Sequence, residues 1–148
     1  MTDIIHFYSL RDKYGEFSNF APFPFVLDER CWPTSEHYFQ AQKFENPDDQ
    51  EAIRAVKSPR IAARMGRSRK RKLRDDWESV KDDIMREAVL AKFSQNEKLR
   101  ELLLSTGDAK LVEHTTNDAY WGDGGDSRGK NMLGQILMET RDKLRAES

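Results

Sequence analysis

The middle of the chain is divided into short helical segments, and this division limits the folds available to it. Three segments begin with a Ser or Thr cap or a first-turn proline: PTSEHYFQAQKFE, PDDQEAIRAV and SPRIAARMG. Two further segments follow: WESVKDDIMREAVLAKFSQ, the longest, with apolar residues at helical spacing, and NEKLRELLLSTG. Gly66 and Gly107 are the expected helix stops. The pattern predicts consecutive short helices from Pro33 to Gly107.

Stretches that favour β-structure are short and lie on either side of this helical region. IIHFYS and KLVEHT each indicate one strand, and FVLDERCW indicates a strand or a hairpin turning near Asp28 to Arg30. A last helix is expected from about Asn131 to Arg145. No repeat, linker or break in composition divides the chain. We predict a helix-rich α+β fold with a small β-sheet, and a single domain over residues 1–148.

Charge and cysteine content narrow the possible classes of protein. Charged residues make up 34% of the chain but the formal net charge is −1, so no overall field attracts nucleic acid or a membrane. No stretch approaches the ~18 apolar residues of a membrane-spanning helix. The single cysteine, Cys31, cannot form an internal disulfide and fits a reducing compartment. We expect a soluble, cytoplasmic protein with no membrane partner.

The segment GDGGDSRGKN, residues 122–131, is similar to a P-loop without matching it. The pattern GxxxxGK[ST] needs a Ser or Thr after its lysine to hold magnesium, and this chain has Asn131. The preceding EHTTNDAYW is too polar for the buried strand that a P-loop follows, and Asp123 and Asp126 would repel a triphosphate. A nucleotide triphosphatase is therefore disfavoured. The loop either offers backbone amides to an anion at a helix start or is a tight surface turn.

Three functional side chains share one helix face within WPTSEHYFQAQKF. Glu36, Gln40 and Lys43 stand at i, i+4 and i+7, which return to within ~20° of one direction. Glu36 and Lys43 are about 10 Å apart along the axis, so both can contact one bound molecule, with Gln40 as a binding residue between them. A carboxyl group can act as general acid or base, and an amine of lowered pKa can form an imine. The alternative is a solvated polar stripe, which the flanking aromatic residues argue against.

The segment RMGRSRKRKLR, residues 64–74, carries seven cationic side chains. Such runs attract phosphate, but no aromatic residue is interleaved here to stack on bases. One expectation is an exposed loop between two helices. The other is that Arg64 or Arg67, near Gly66, contacts a substrate phosphate.

The sequence predicts no metal site. His6, His37 and His114 are too scattered along the chain for a convincing zinc set, and Cys31 stands alone. Neither a GxSxG motif nor a Cys–His pair with a family signature is present. We expect no cofactor.

Three stretches occur in order and together carry a specific resemblance: FYSLRDKYGEFSNFAPFPF, WPTSEHYFQAQKF and NDAYWGDGGDSRGKNMLGQILMETR. With SPRIAARMGR between the last two, they closely resemble the NADAR, or YbiA-like, family of N-glycosidases over essentially the whole chain. The resemblance implies a compact, helix-rich α+β fold. It also implies cleavage of the N-glycosidic bond between a phosphorylated ribose and an amino-pyrimidine. The implied substrates are reactive intermediates of riboflavin biosynthesis, and ribose 5-phosphate is one product.

The resemblance leaves two other functions open. Relatives in the family are linked to removal of ADP-ribose from guanine bases in nucleic acid, for which the basic segment is the distinguishing feature. A non-catalytic module that binds ADP-ribose or a nucleotide is the third possibility. The pairing of Glu36 with Lys43 argues against a pure binding module.

By motif match, the resemblance makes Glu36 the main acid or base and Lys43 the candidate for covalent capture of the sugar. It implies that five further residues line the pocket: Asn19, Trp77, Asp118, Trp121 and Asn131. Gly122 and Asp123 of the glycine-rich loop would then belong to a sugar or phosphate site. Two alternatives stay open, since Trp77 can be a core residue and Asp118 can cap a turn.

Overall fold

The computed structural model describes residues 3–147, which contain six α-helices, four short β-strands and a 3₁₀ turn at Gly15–Phe17. The helices are α1 (Ser35–Ala41), α2 (Pro47–Arg54), α3 (Pro59–Arg67), α4 (Trp77–Ser94), α5 (Glu97–Ser105) and α6 (Met132–Ala146). The strands are β1 (Ile4–Phe7), β2 (Phe25–Leu27), β3 (Arg30–Trp32) and β4 (Lys110–Glu113). The predicted helix-rich α+β class is confirmed. Within residues 3–147 no helix combines the length and the apolar character needed to cross a membrane.

The predicted cap residues lie at the starts of their helices and cap them. The Thr34 side chain accepts a hydrogen bond from the His37 amide at the start of α1, and Ser58 accepts one from the Arg60 amide at the start of α3. Gly107 adopts a left-handed conformation with φ 61°, just after α5 ends, as a helix stop does.

Gly66 is not a helix stop, because α3 continues through it to Arg67. A Cβ atom at Gly66 would lie 1.8 Å from Oε1 of Gln40, a residue of α1. The predicted stop is therefore wrong. The glycine is explained by packing, since it allows α3 to lie close against α1.

Within residues 3–147 the strands form two separate pairs instead of one sheet. β1 and β4 are parallel neighbours, with Phe7 opposite Glu113. β2 and β3 form an antiparallel hairpin that turns at Asp28 and Glu29, both of which have positive φ. The hairpin alternative for FVLDERCW is therefore correct. The pairing of β1 with β4 joins two segments that are far apart in the sequence.

Helix α1 lies at the centre of the core, and every one of its residues is buried. It packs against α2, α3 and α4, while α6 packs against α4 and β4. Trp32 and Tyr38 meet edge to face beside it, with ring centroids 5.1 Å apart. Because the whole helix is enclosed, its polar face cannot be the solvated stripe considered from the sequence.

A buried lysine fixes the loop between the 3₁₀ turn and β2 to the longest helix. Lys92 of α4 is 1% exposed, and its Nζ donates a hydrogen bond to the Ser18 carbonyl at 2.9 Å. Burial lowers the pKa of Lys92 to about 7. Above about pH 7, the folded protein therefore favours the neutral amine of Lys92.

We predict that Lys92 makes stability depend on pH. The unfolded chain keeps this proton up to the ordinary pKa of 10.5, whereas the folded chain releases it near pH 7. Between these values the unfolded state binds more protons, so the free energy of unfolding rises with pH, by up to about 1.4 kcal/mol per pH unit. Urea denaturation between about pH 7 and pH 9 measures the slope, which should be smaller in Lys92→Met.

The control for this experiment is Lys98→Met, which changes an exposed lysine on α5. Its pH slope should match that of the wild type. A Lys92→Met variant with the wild-type slope contradicts the lowered pKa.

Candidate active site

A cavity of about 540 Å³ opens beside α1 and collects residues from distant parts of the chain. Its walls come from the segment after β1, the loop before β2, α1 with the adjoining α3, and the segment from β4 towards the glycine-rich loop. Six residues predicted from the sequence line it: Asn19, Glu36, Gln40, Lys43, Asp118 and Trp121. Glu36, Gln40 and Lys43 therefore border one cavity, as their shared face predicted. The prediction of one helix through all three is wrong for Lys43, because α1 ends at Ala41.

Glu36 is buried in the first turn of α1, where its amide donates to the Asn19 carbonyl at 3.1 Å. Its Oε2 accepts a hydrogen bond from Nε2 of Gln40 at 2.8 Å. Burial raises the pKa of Glu36, although the Gln40 hydrogen bond opposes part of that rise. The positive charges of Lys43 and Arg67 also oppose it. A carboxyl group whose pKa is raised can deliver a proton near neutral pH, as a general acid must.

Lys43 follows α1 and is buried among aromatic rings and a helix end. Its Nζ lies 3.5 Å from the Gly66 carbonyl oxygen and 5.9 and 5.8 Å from the ring centroids of Phe39 and Trp77. Burial lowers the pKa of Lys43 to about 8, with the charge of Glu36 acting in the opposite direction. A larger fraction of this amine is therefore neutral at physiological pH than in an ordinary lysine. The neutral amine is the form that attacks an electrophilic carbon.

Gly66 connects the acid and the amine. Its carbonyl accepts the hydrogen bond from Lys43, and its Cα lies against the Gln40 amide that holds Glu36. Within residues 3–147, Oε1 of Gln40 has no hydrogen-bond partner. A side chain at Gly66 would displace Gln40 and, through it, the Glu36 carboxyl group.

Asn19 and Asp118 hold the local fold together and also line the cavity. Oδ1 of Asn19 accepts a hydrogen bond from Ser35 Oγ at 2.8 Å, which fixes the loop to the start of α1. Oδ1 of Asp118 accepts hydrogen bonds from the amides of Tyr120 and Trp121, each at 2.8 Å. Asp118 therefore caps a turn, as one alternative held, while it still borders the cavity.

Trp77 and Arg64 do not line the cavity. Trp77 is buried and meets Phe39 edge to face, with ring centroids 5.0 Å apart, as a core residue does. Arg64 is exposed, whereas Ala63 and Arg67 of the same helix line the cavity. Residues 63 and 67 are one turn apart on one face of α3, and residue 64 points about 100° away. Arg67 is thus the cation that the helix turns towards the cavity.

The glycine-rich loop uses its backbone amides internally. The amides of Gly129 and Asn131 donate to the carbonyl oxygens of Asp123 and Gly122, at 2.8 and 2.9 Å. The first two amides of α6 also donate to backbone carbonyl groups, and the Asn131 side chain bonds two backbone groups of β4. Gly122, Asp123 and Asn131 do not line the cavity. The loop is a tight turn that supports the cavity wall, because the amides an anion would need are already used.

Tyr8, Glu113, Thr115 and Asn117 line the cavity, although their residue types and spacing gave no indication of it. Burial, together with the charges of neighbouring carboxylates, raises the pKa of Glu113 to about 7. Nδ2 of Asn117 donates to the Tyr8 hydroxyl at 3.3 Å and joins the segments that follow β1 and β4. These residues meet only because two strands distant in the sequence pair. The available signals were the family stretches FYSLRDKYGEFSNFAPFPF, which contains Tyr8, and NDAYW, which contains Asn117.

Two of the histidines are neighbours. The rings of His6 and His114 have centroids 5.2 Å apart, and Nδ1 of His114 lies 2.8 Å from Oδ2 of Asp123. His37 lies apart in α1, where both of its ring nitrogens have hydrogen-bond partners. The expectation that the histidines are too scattered to meet is therefore wrong for His6 and His114. They are far apart along the chain but close in space, because β1 and β4 pair in parallel.

Comparison with known proteins finds the same family along almost the whole chain. The NADAR domain matches residues 6–145. N-glycosidase YbiA of Escherichia coli K12 is 61% identical over 144 residues, covering 97% of this chain and 90% of the relative. An N-glycosidase of Nostoc punctiforme is 46% identical, covering 95% of this chain and 92% of the relative. A riboflavin biosynthesis protein of Vibrio vulnificus is 42% identical and matches 97% of this chain, but only 39% of its own length.

A solved structure has the same fold. The NMR structure of the E. coli protein YbiA matches with a TM-score of 0.92 at 60% identity, covering 99% of this chain and 88% of that chain. The chain belongs to the NADAR family and is an enzyme of the N-glycosidase class. The fold expected from the resemblance is confirmed.

We predict that Lys43 reacts with amine reagents at a lower pH than exposed lysines do. Its neutral fraction rises through a pKa of about 8, because burial disfavours the ammonium form. Brief labelling with acetic anhydride over a pH series, quantified residue by residue by mass spectrometry, gives the titration curve. The exposed Lys110 provides the reference curve. A Lys43 midpoint equal to that reference contradicts a lowered pKa.

Proposed function

We propose that this enzyme hydrolyses the bond between C1′ of a phosphorylated ribose and the exocyclic amine of an amino-pyrimidine intermediate of riboflavin biosynthesis, releasing ribose 5-phosphate. The observation that carries the proposal is that Glu36 of α1 and Lys43, two residues after the end of α1, border the same cavity. The name of the V. vulnificus relative, a riboflavin biosynthesis protein, supports the substrate class.

The cavity suits a small phosphosugar joined to a flat base. Its volume of about 540 Å³ falls within the ~300–1,000 Å³ typical of small-molecule sites. Phe39 and Trp121 line it and offer aromatic surfaces to a pyrimidine, where stacking contributes ~1–3 kcal/mol. Arg67 supplies a cation for the phosphate. In this proposal Asn19, Gln40 and Asp118 provide the polar contacts to the sugar and the base.

In the first half of the reaction, Lys43 replaces the base at C1′. The glycosylamine ring opens when O4′ takes a proton, which leaves an electrophilic imine carbon at C1′. The neutral Lys43 amine attacks C1′ and forms a new C–N bond. Glu36 gives its proton to the leaving nitrogen as the bond from C1′ to the pyrimidine amine breaks. As the free amino-pyrimidine departs, Lys43 Nζ passes its second proton to the Glu113 carboxylate that ring opening leaves in the cavity. A Lys43 iminium and a Glu36 carboxylate remain.

In the second half, water releases the sugar. The Glu36 carboxylate takes a proton from water as the water oxygen bonds to C1′. The resulting carbinolamine collapses, the bond from C1′ to Lys43 Nζ breaks, and ribose 5-phosphate is freed. Glu36 ends protonated and Lys43 ends as a neutral amine, so both groups are ready for another cycle.

Glu113 adds a second carboxyl group to the cavity, with its pKa raised to about 7. About half of such a group is protonated at neutral pH. We assign it the proton that O4′ takes on ring opening. Lys43 Nζ restores a proton to Glu113 during the exchange, and the O4′ proton moves to the C1′ oxygen when the released sugar closes again. This assignment leaves Glu36 free to act on the leaving nitrogen.

Replacing Glu36 tests the proposal. Glu36→Gln keeps the size of the side chain but can neither give nor take the proton. Release of ribose 5-phosphate from the ribosylamino-pyrimidine phosphate is therefore expected to fall about 10²-fold or more. A coupled assay for ribose 5-phosphate measures the rate. Glu45→Gln, at an exposed position two residues beyond Lys43, is the matched control and should keep the wild-type rate.

Full activity of Glu36→Gln would remove Glu36 from the mechanism. An oligonucleotide carrying ADP-ribosylated guanine serves as the rival substrate in the same experiment. Faster turnover of that oligonucleotide than of the small substrate contradicts the proposed substrate but leaves the N-glycosidase class intact. Replacing the four cationic residues 69–72 by neutral ones should then raise KM for the oligonucleotide more than for the small substrate.

A further inference from the structure

Two histidines and an aspartate meet outside the cavity, where β1, β4 and the glycine-rich loop come together. His6 belongs to β1, and His114 follows β4 with its amide bonded to the Phe7 carbonyl at 2.9 Å. One ring nitrogen of each histidine and one carboxylate oxygen of Asp123 lie within 4.8 Å of one another. None of the three residues lines the cavity, so the cluster is separate from the proposed reaction.

The fold holds two of these three groups in place. Oδ1 of Asp123 accepts hydrogen bonds from the amides of Thr115 and Gly125, at 3.1 and 2.8 Å. Its Oδ2 lies 2.8 Å from Nδ1 of His114. The Asp123 side chain is 3% exposed, whereas that of His114 is 52% exposed. A buried, fixed carboxylate thus faces an imidazole that solvent can reach, and His6 beside it is exposed and can change rotamer.

The separations suit a first-row transition metal. Nitrogen and oxygen ligands lie ~2.0–2.2 Å from such an ion, so neighbouring ligand atoms are about 2.8–3.5 Å apart. The distance from His114 to Asp123 already falls in this range. The other separations, up to 4.8 Å, can close when the exposed His6 side chain rotates. Two imidazoles with one carboxylate favour zinc or nickel over calcium or magnesium, which prefer oxygen ligands.

We propose that His6, His114 and Asp123 form a binding site for a divalent first-row transition-metal ion such as Zn²⁺ or Ni²⁺. The ion fastens β1 to the end of β4 and to the glycine-rich loop. Residues 115–122 run between His114 and Asp123, and several of them line the cavity. Metal binding therefore stiffens one wall of the cavity, and it supplies no group to the proposed cleavage of the glycosidic bond.

Titration of Ni²⁺ into tag-free protein stripped with EDTA tests this site. Nickel is the better probe because imidazole suits it, whereas the exposed thiol of Cys31 competes for zinc. Calorimetry should show saturable binding by the wild type. The bound ion should raise Tm by ~5 °C or more at about 100 times Kd, and EDTA should reverse the rise.

Two ligand variants and one matched control locate the ion. His6→Asn changes an exposed residue and should weaken Ni²⁺ binding at least ~10-fold, with loss of the Tm shift. His114→Gln, just after β4, should also weaken Ni²⁺ binding at least ~10-fold and abolish the Tm shift. Ile4→Gln changes another exposed residue two positions earlier, on the same face of β1, and should bind like the wild type.

The proposal is overturned if the wild type shows no saturable binding. It is also overturned if His6→Asn binds Ni²⁺ as tightly as the wild type. Equal weakening in His6→Asn and Ile4→Gln would contradict it as well, because the effect would then not depend on the imidazole.

Discussion

The contact between α1 and α3 at Gly66 is the constraint on which the candidate site depends. Because Gly66 has no side chain, the Gln40 amide fits against α3 and reaches back to Glu36. The Gly66 carbonyl also receives the Lys43 ammonium hydrogen bond. One glycine therefore sets the position of both reactive groups. Lys92 of α4 also donates a hydrogen bond to the carbonyl of Ser18, another residue that lines the cavity.

Burial shifts the pKa values of Glu36 and Lys43 in opposite directions, and both shifts favour the neutral form of the group. Desolvation disfavours every charged form, so it raises the pKa of Glu36 and lowers that of Lys43 to about 8. Both groups are thereby moved towards their neutral forms, a protonated acid and a free amine. These are the forms that an imine exchange at C1′ needs at its first step. Their mutual attraction works against this trend, but burial is the largest cause for each group.

Local chemistry in the sequence predicts the parts of the structure that depend on near neighbours. The caps at Thr34 and Ser58 are of this kind, and so is the i, i+4 pair of Glu36 and Gln40, because a helix fixes each within a few residues. The cavity position of Glu113 and the meeting of His6 with His114 depend on the parallel pairing of β1 and β4, which no local pattern reveals. Asn131 belongs to a motif of the family, yet its side chain makes hydrogen bonds to two backbone groups of β4. A motif match identifies a residue as part of a site region but does not say whether it touches the ligand.

Trapping the sugar on the enzyme tests the central claim most directly. Borohydride added during turnover reduces an iminium to a stable amine, and peptide mass spectrometry then locates the adduct. The account predicts a reduced pentose phosphate on Lys43 and on no other lysine. Continued turnover without an adduct, or an adduct confined to another lysine, would contradict the claim that Glu36 and Lys43 act as an acid and a nucleophilic amine on the same carbon.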